Sequence, residues 1–368
     1  MKSFEYGDEE IGVKEILFSV PGMVIGVGIL SLPRLLSTAT NFLDGWISII
    51  IGGIVAIFFT WIVAKLASRF PRQTFFTYAS SIISTPVAFA LTLMMSIDLL
   101  LFTAYEIRSI AVISKHYLFD RTPVEVISFT FLLVVVYAVS NSRVAILRLN
   151  VMFLPIIFFV ALLVCVMNIK LFEISNLLPV FQSEWTGYLQ GGKESFFSFA
   201  GFEILLFYIA LMNQPKRAPK FAALGMSIPL FLYLVLHLTT IGVFSYQVTA
   251  SLTYPTIELA KEVVIPGGFF ERFESIFFTI WIMAIFITTT MAFDVTLIAL
   301  SSLFKKIKKR TWIIMITPVI YLAAMLPQSY AELGKFGSFI SYTGLTMSVV
   351  VPTCLLIMAK LRGVKSDG

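Results

Sequence analysis

Long apolar stretches follow one another along almost the whole chain and are separated by short polar or basic segments. A membrane-spanning helix needs roughly 20 mostly apolar residues. Seven charge-free stretches meet or approach that length, and each predicts one span. They are residues 16–33, 46–64, 126–142, 149–169, 275–293, 311–331 and 336–359.

Three further spans are predicted where a charged residue interrupts the apolar stretch or where the stretch is longer than one span requires. One begins near Thr85 and continues past a lone Asp98 to Tyr105. Another, residues 195–212, is interrupted only by Glu203. Residues 221–257 are longer than one span requires, so they predict a helix followed by a loop. The pattern therefore predicts an all-α integral membrane protein with about ten transmembrane helices.

Glycines interrupt the first and the sixth predicted span. Span 1 contains Gly26 and Gly28, and span 6 contains Gly201 followed by Glu203. Because each is the first span of a five-span half, glycine-interrupted segments at matching positions predict broken helices and a transporter-type binding site between them. Helix packing is the alternative, since Gly22 and Gly26 also form a GxxxG motif.

Composition and charge agree with a membrane protein. The chain is 58% hydrophobic and 13% charged, whereas soluble domains carry about 25% charged residues. Of the 27 Lys and Arg residues, 18 fall on the side that holds both termini, which predicts cytoplasmic termini. The net charge of +6 is thus explained by topology rather than by nucleic-acid binding. We expect one polytopic domain over residues 1–368, with no cleavable signal peptide because its start is acidic.

Several charged side chains fall inside predicted spans, where each is a functional hypothesis. In span 3, Asp98, Phe102 and Glu106 share one helical face. Asp98 and Phe102 are predicted to lie near the midplane. For Glu106 and Arg108, further out, structural ion pairs near the outer surface are the favoured interpretation. In span 8, Thr288 is a candidate for the ligand side, with core packing as an equal alternative.

No pattern of an enzyme, a cofactor site or a metal site is present. The chain has two histidines and lacks the HExxH, P-loop and GxSxG motifs. Cys165 and Cys354 lie in apolar runs and are interpreted as small hydrophobic residues.

At the two glycine motifs the chain resembles the amino acid–polyamine–organocation transporters and, more narrowly, the B subunit of bacterial spore germinant receptors. The resemblance continues in order through most of the chain. It rests on residues 26–34 (GVGILSLPR), 44–47 (DGWI), Glu106 with Arg108, 176–180 (NLLPV), 198–203 (SFAGFE), 254–257 (YPTI) and 270–275 (FERFES). One departure is Val27, where many amino-acid transporters place a hydroxyl, so backbone groups become the expected ligands there.

The resemblance implies a 5+5 inverted repeat, with halves at about residues 11–168 and 190–361. It implies a receptor subunit in the inner spore membrane that binds a small germinant such as an amino acid and assembles with A-type and C-type subunits. An amino-acid permease and a structural subunit that anchors partners remain alternatives. The ligand is expected between spans 1 and 6, with spans 3 and 8 beside them, surrounded by Gly26, Val27, Gly28, Asp98, Phe102, Phe199, Ala200, Gly201 and Thr288.

Overall fold

The structure, a computed structural model, describes residues 10–263 and 273–364. Within these ranges the regular elements are helices, apart from one isolated bridge between Ile11 and Met212. In chain order they are α1 (Val13–Val24), α2 (Gly28–Ala39), α3 (Gly45–Ala67), α4 (Phe75–Ile82), α5 (Thr85–Tyr117), α6 (Val124–Ser140), α7 (Arg143–Met167), α8 (Trp185–Ser198), α9 (Phe202–Leu211), α10 (Ala218–Ser251), α11 (Pro255–Lys261), α12 (Phe273–Leu303), α13 (Lys309–Met325) and α14 (Tyr330–Leu361).

Six of the described helices are long and apolar enough to cross a membrane, and two bent pairs raise the number to eight. The six are α3, α5, α7, α10, α12 and α14, and the pairs are α1/α2 and α8/α9. The other two predicted spans coincide with α6 and α13, which have 17 residues each. Seventeen residues extend about 25 Å, slightly less than a hydrocarbon core of about 30 Å. The multi-span helical fold is confirmed, and the number ten stays a prediction.

The first predicted break lies between α1 and α2, which meet at an angle of 54°. Ile25 leaves the helical region at φ −81° and ψ 77°. Its N–H still donates to the carbonyl of Pro21 at 2.8 Å, but the N–H of Gly26 donates to Val24 at 3.0 Å instead of continuing the helical ladder. The break over residues 25–27 confirms the prediction made from Gly26 and Gly28.

The second break lies between α8 and α9, which meet at 41°. Gly201 adopts φ +116°, a conformation that L side chains rarely tolerate. A Cβ atom at Gly201 would lie 2.8 Å from Cγ of Met23 in α1, so the two breaks approach each other closely. The interruption over residues 199–201 confirms the predicted break in span 6.

Helix α12 forms the centre of the packing and contacts α5, α7 and α1. Two thirds (67%) of its most apolar stretch is buried by other helices, whereas the remaining long helices expose more of their surface. Helix α14 contains a π-helical turn at Thr346–Val350, just before Pro352. Because Pro352 has no N–H to donate, a local departure from α-helical bonding is expected there.

Some sequence features lie outside the described residues. These are the acidic start of the chain up to residue 9, residues 270–272 of the motif 270–275, and residues 365–368.

Candidate ligand site at the broken helices

A cavity of about 630 Å³ lies between the two broken helices, α5 and α14. This volume is in the range of small-molecule sites in proteins. One end is formed by Arg34, Tyr254 and Tyr330, and the other by Asp98 and Glu203. Seven of the nine predicted site residues line the cavity: Gly26, Val27, Gly28, Asp98, Phe102, Ala200 and Gly201.

Two carbonyl groups at the first break, those of Gly22 and Gly26, accept hydrogen bonds from side chains of α12. The Thr288 hydroxyl donates to the carbonyl of Gly22 at 2.9 Å. The Trp281 indole N–H donates to the carbonyl of Gly26 at 3.2 Å. The backbone at the break is therefore held in place from α12, and these oxygens are occupied.

Tyr233 of α10 joins the two breaks. Its hydroxyl lies 2.9 Å from the carbonyl oxygen of Val24 and 3.2 Å from that of Ser198. The ring of Phe199 stacks on Tyr233 with the ring centroids 4.9 Å apart. The C-terminal ends of α1 and α8 are thus fixed to one side chain.

These contacts correct two of the site expectations. Phe199 and Thr288 are fully buried and do not line the cavity. Phe199 faces Tyr233, and the Thr288 hydroxyl is directed at the backbone of α1 and at the carbonyl of Ala284 in its own helix. Thr288 stabilises the break because the freed carbonyl of Gly22 requires a donor in a water-free interior. Phe199 packs against Tyr233, whose hydroxyl lies at the carbonyl of Val24.

Glu106 of α5 lies at the first break. Its side chain is buried, with 2% of the residue exposed, and Oε2 has no hydrogen-bond partner. A Cβ atom at Gly26 would be 3.3 Å from this oxygen, and the backbone N–H of Val27 interacts with the same carboxyl group. Glu106 lines the cavity, and within residues 10–263 and 273–364 it has no ion-pair partner, whereas the sequence favoured an ion pair near the outer surface. Arg108 instead directs Nη1 at the sulfur of Met325, 3.7 Å away.

The deep end of the cavity is acidic. Asp98 accepts a hydrogen bond from the hydroxyl of Thr343 in α14, and its Oδ2 would lie 3.4 Å from a Cβ atom at Gly344. Glu203, at the start of α9, is 5% exposed, and its Oε2 has no hydrogen-bond partner. Both carboxyl groups face the cavity.

Two basic residues of the cavity wall face aromatic rings. Lys193 places Nζ 4.9 Å from the ring centre of Tyr342 and 5.5 Å from that of Phe197. The Arg34 guanidinium lies 6.0 Å from the ring centre of Tyr330. All of these residues line the cavity. Arg34 therefore lies at the end opposite the carboxylates of Asp98 and Glu203, whereas Lys193 lies over Tyr342, next to Thr343, and is followed by Glu194, which also lines the cavity.

At the level of Gly26, the two helix ends of the first break add partial charges of opposite sign. Helix α1 ends there and α2 begins at Gly28. A helix N-terminus carries roughly +0.5 charge and unpaired N–H groups, and a C-terminus carries roughly −0.5. The start of α2 is therefore suited to a carboxylate, and the end of α1, together with Glu106, to an ammonium group.

Residues of α14 and Glu106 were missed as members of the site. Glu106 was predicted to share a helical face with Asp98 and Phe102, and this shared face could have identified it as a site residue. Thr343 and Tyr342 gave no signal, because their approach to α5 and α8 depends on how distant helices pack.

Asp294 of α12 is a buried carboxylate that lies away from the cavity. Its carboxyl group is 3.6 Å from Nε of Arg143 and 3.9 Å from Nζ of Lys309, and it accepts a hydrogen bond from Tyr208 at 3.2 Å. It is a buried ion-pair cluster that joins α12 to α7, α9 and α13.

The arrangement of the whole backbone is that of known transporters. It is similar to the structure of MHP1, a nucleobase-cation-symport-1 family transporter in a closed conformation with bromovinylhydantoin bound. The TM-score is 0.70 at 14% identity, and the match covers 95% of this chain and 78% of that one. MhsT in complex with L-phenylalanine gives a TM-score of 0.69 at 14% identity, covering 95% of this chain and 89% of that one. At this identity the likeness shows the fold alone, and it confirms the inverted-repeat transporter fold.

The sequence decides the family. The model of a family described as "Spore germination protein" matches residues 10–333. The chain belongs to this spore germination protein family. It is 44% identical to spore germination protein GerLB of Bacillus cereus over 98% of this chain and 97% of that protein. It is 31% identical to spore germination protein YndE of Bacillus subtilis over 92% and 93%, respectively.

The resemblance to the B subunits of spore germinant receptors, drawn from the motifs in spans 1 and 6, is confirmed. The chain thus combines membership of a spore germination protein family with the fold of known transporters.

Proposed function

We propose that the protein is the membrane subunit of a spore germinant receptor and that it binds a small amino-acid germinant in the cavity between the broken helices. The observation that carries the proposal is Glu106. Its buried carboxyl group has an oxygen without a partner and faces the cavity beside the N-terminus of α2. A buried carboxylate is costly unless a positive group compensates it, and an amino group supplies that charge.

The ligand is oriented by the two polarities at the first break. Its carboxylate is placed against the free N–H groups at the start of α2, near Gly28, where the helix dipole favours negative charge. Its ammonium group contacts Glu106. Because the carbonyls of Gly22 and Gly26 are already occupied, Glu106 replaces the exposed carbonyls that the sequence suggested as partners of the amino group.

The cavity walls next to Glu106 and the start of α2 suit an aliphatic or aromatic ligand side chain. Phe102 and Tyr105 lie on the α5 side, and Ala200 lies on the α8/α9 side. Apolar walls with a few placed polar groups are typical of small-molecule sites. Enlarging Ala200 or removing the Phe102 ring therefore changes the space available to the ligand.

Assembly with A-type and C-type subunits in the inner spore membrane is part of the same proposal. Its support is that the relatives matching nearly the full length of this chain are named spore germination proteins. The lipid-facing surface supports the bilayer location, because large apolar side chains such as Phe58, Phe159 and Leu322 are exposed on the long helices.

A working permease is the second candidate, because the fold is that of transporters. Both candidates use the same ligand site, and they differ in whether the ligand crosses the membrane. A purely structural subunit would require no ligand in the cavity.

Spores that carry single variants test the proposal. Ala200→Val and Phe102→Ala should each shift the germination dose response to amino acids by roughly 5- to 150-fold, the equivalent of about 1–3 kcal/mol. Ile97→Ala is the matched control, because Ile97 is adjacent to Asp98 in α5 but is 49% exposed on the outside of the protein. Immunoblots of spore membranes establish equal protein abundance.

The outcomes separate the candidates. Shifted dose responses with no uptake of labelled amino acid into protoplasts support the receptor subunit. Uptake that the same variants impair supports the permease. Unshifted responses to every amino acid at normal abundance contradict both and leave the structural subunit.

A further inference from the structure

We propose that the deep end of the cavity is a second subsite, specific for a positively charged group, and that the ligand filling the whole cavity is an amino acid with a cationic side chain. The proposal rests on the proposed function, because the α-ammonium and α-carboxylate groups are assigned to Glu106 and the start of α2. It adds a partner for the ligand's side chain.

The first argument is the state of the two carboxyl groups at the deep end. Asp98 is 7% exposed and Glu203 is 5% exposed, and both face the cavity. The hydroxyl of Thr343 is the hydrogen-bonding side chain at Asp98, and Oε2 of Glu203 has no partner. Among residues 10–263 and 273–364, neither carboxyl group forms an ion pair.

The second argument concerns the position of the cationic side chains in the cavity wall. Arg34 and Lys193 line the cavity and are directed at aromatic rings. Among the described residues neither forms an ion pair with Asp98 or Glu203, so the charges of these two carboxylates are left uncompensated. Carboxylates in a membrane interior are costly without a counter-charge, and a ligand cation supplies one.

The third argument is the helix end beside these carboxylates. Helix α8, with 14 residues, ends at Ser198, next to Ala200 and Gly201 in the cavity wall. A helix C-terminus carries roughly −0.5 charge. The start of α9 at Phe202 carries the opposite partial charge and stabilises the neighbouring carboxylate of Glu203, so the end of α8 is the part of this break that favours a cation.

The fourth argument is the spacing along α5. Asp98 and Glu106 are two turns apart on one face, which places their backbones about 12 Å apart along the helix axis. Contacts of about 3 Å at each carboxylate leave about 6 Å between two ammonium groups. The two nitrogens of lysine are separated by six bonds, about 7.5 Å when the side chain is extended, so a slightly bent side chain fits this gap. Phe102 lies midway on the same face and lines the cavity, where its ring can contact the methylene groups.

Equilibrium binding of labelled L-lysine and L-norleucine to the purified full-length protein tests the inference. Norleucine has the same chain length without the terminal ammonium group. The wild-type protein should bind lysine at least about 10-fold more tightly, the effect of a charge-assisted contact. Asp98→Asn and Glu203→Gln should each bring the ratio close to one. Ile97→Ala should keep it, and Glu106→Gln should weaken both ligands while keeping the ratio.

The wild-type comparison decides the question even if a variant fails to fold. A ratio near one, with both amino acids bound, overturns the second subsite and leaves the proposed function standing. Failure to bind any amino acid contradicts the proposed function itself. If neutral amino acids bind only with Na⁺ or K⁺ present and Asp98→Asn abolishes that requirement, the deep end holds an inorganic cation and the inference is wrong.

Discussion

The carboxyl group of Glu106 lies directly against Gly26, so that a Cβ atom at Gly26 would be 3.3 Å from its Oε2. The break in the first helix and the carboxylate of α5 therefore form one unit. The absence of a side chain at Gly26 lets the carboxylate reach the backbone of the break, and its partner-free oxygen is available to a ligand.

Gly26→Ala tests this close approach. The added methyl group would meet Glu106 and also the Thr288 hydroxyl, both at 3.3 Å, so one of them must move. Overpacking of this kind costs about 1 kcal/mol or more, and we expect amino-acid binding to weaken about 5-fold or more. Gly192→Ala is the control, because a Cβ atom there meets nothing within 4 Å. Equal dissociation constants for the wild-type protein and Gly26→Ala would show that the contact has no role in binding.

Gly201→Ala is expected to act on stability. Its φ of +116° is unfavourable for alanine, and the new Cβ atom would lie 2.8 Å from Met23. We expect a loss of about 1–3 kcal/mol, seen as a lower melting temperature of the purified protein. Gly334→Ala is the matched control, because Gly334 also lines the cavity but a Cβ atom there has open space. An unchanged melting temperature would contradict the close packing of the two breaks.

Thr288→Val is also expected to destabilise the protein, through the carbonyl of Gly22. That oxygen loses its 2.9 Å hydrogen bond in a buried setting, at a cost of about 1–3 kcal/mol. The adjacent Thr289→Val is the control, since the Thr289 hydroxyl bonds only to Ile285 in its own helix. Thermal unfolding should show a clearly larger loss for Thr288→Val. Equal losses would mean that the bond to α1 contributes nothing beyond ordinary helix bonding.

The loop before α8 offers a pH-dependent contact that is independent of the cavity. Asp44, before α3, accepts hydrogen bonds from the N–H groups of Phe181 at 2.6 Å and Ser183 at 2.7 Å, and from the hydroxyl of Tyr188 at 2.9 Å. Burial by itself raises the pKa of Asp44, but these hydrogen bonds outweigh it and hold the pKa below its usual 3.8.

Because the pKa is lowered in the folded protein, the stabilisation is fully present above the usual pKa of 3.8. It declines below that value and is lost as pH falls through the lower pKa of the folded protein, where the carboxylate becomes protonated. The protection of the amides of residues 181–183, measured against their intrinsic exchange rates at each pH, should therefore fall in acid in the wild-type protein. In Asp44→Asn the protection should be low at every pH. Asp120→Asn, at an exposed position, should behave like the wild-type protein. Slow exchange in Asp44→Asn at neutral pH would contradict the assigned contact.

The sequence predicted the fold better than it predicted the site. Charge-free segments and the paired glycines were sufficient for the long helices and for both breaks, because apolar length and the loss of helical bonding are local properties. The number of spans was less secure. Helices α6 and α13 are shorter than a bilayer core, and composition alone does not decide whether they cross it.

The site depends on contacts that are not local. The face of α5 was correctly inferred from helical periodicity, and Asp98 and Phe102 line the cavity as expected. For Thr288, core packing and ligand contact were equal alternatives, and only the position of α1 showed that its hydroxyl bonds to Gly22. The approach of Thr343 to Asp98 is set by the packing of α14 and has no signature in the sequence.

The most direct measurement is the affinity of the purified protein for labelled L-alanine, L-norleucine and L-lysine, compared with that of Glu106→Gln. Glutamine keeps the shape of the side chain but removes the charge that is assigned to the ligand's amino group. For each amino acid that the wild-type protein binds, we predict that Glu106→Gln binds about 10- to 150-fold more weakly. Glu10→Gln is the control: it alters an exposed ion pair with Arg72 and should bind as the wild-type protein does. Unchanged affinities in folded Glu106→Gln protein would contradict the ligand site at the broken helices.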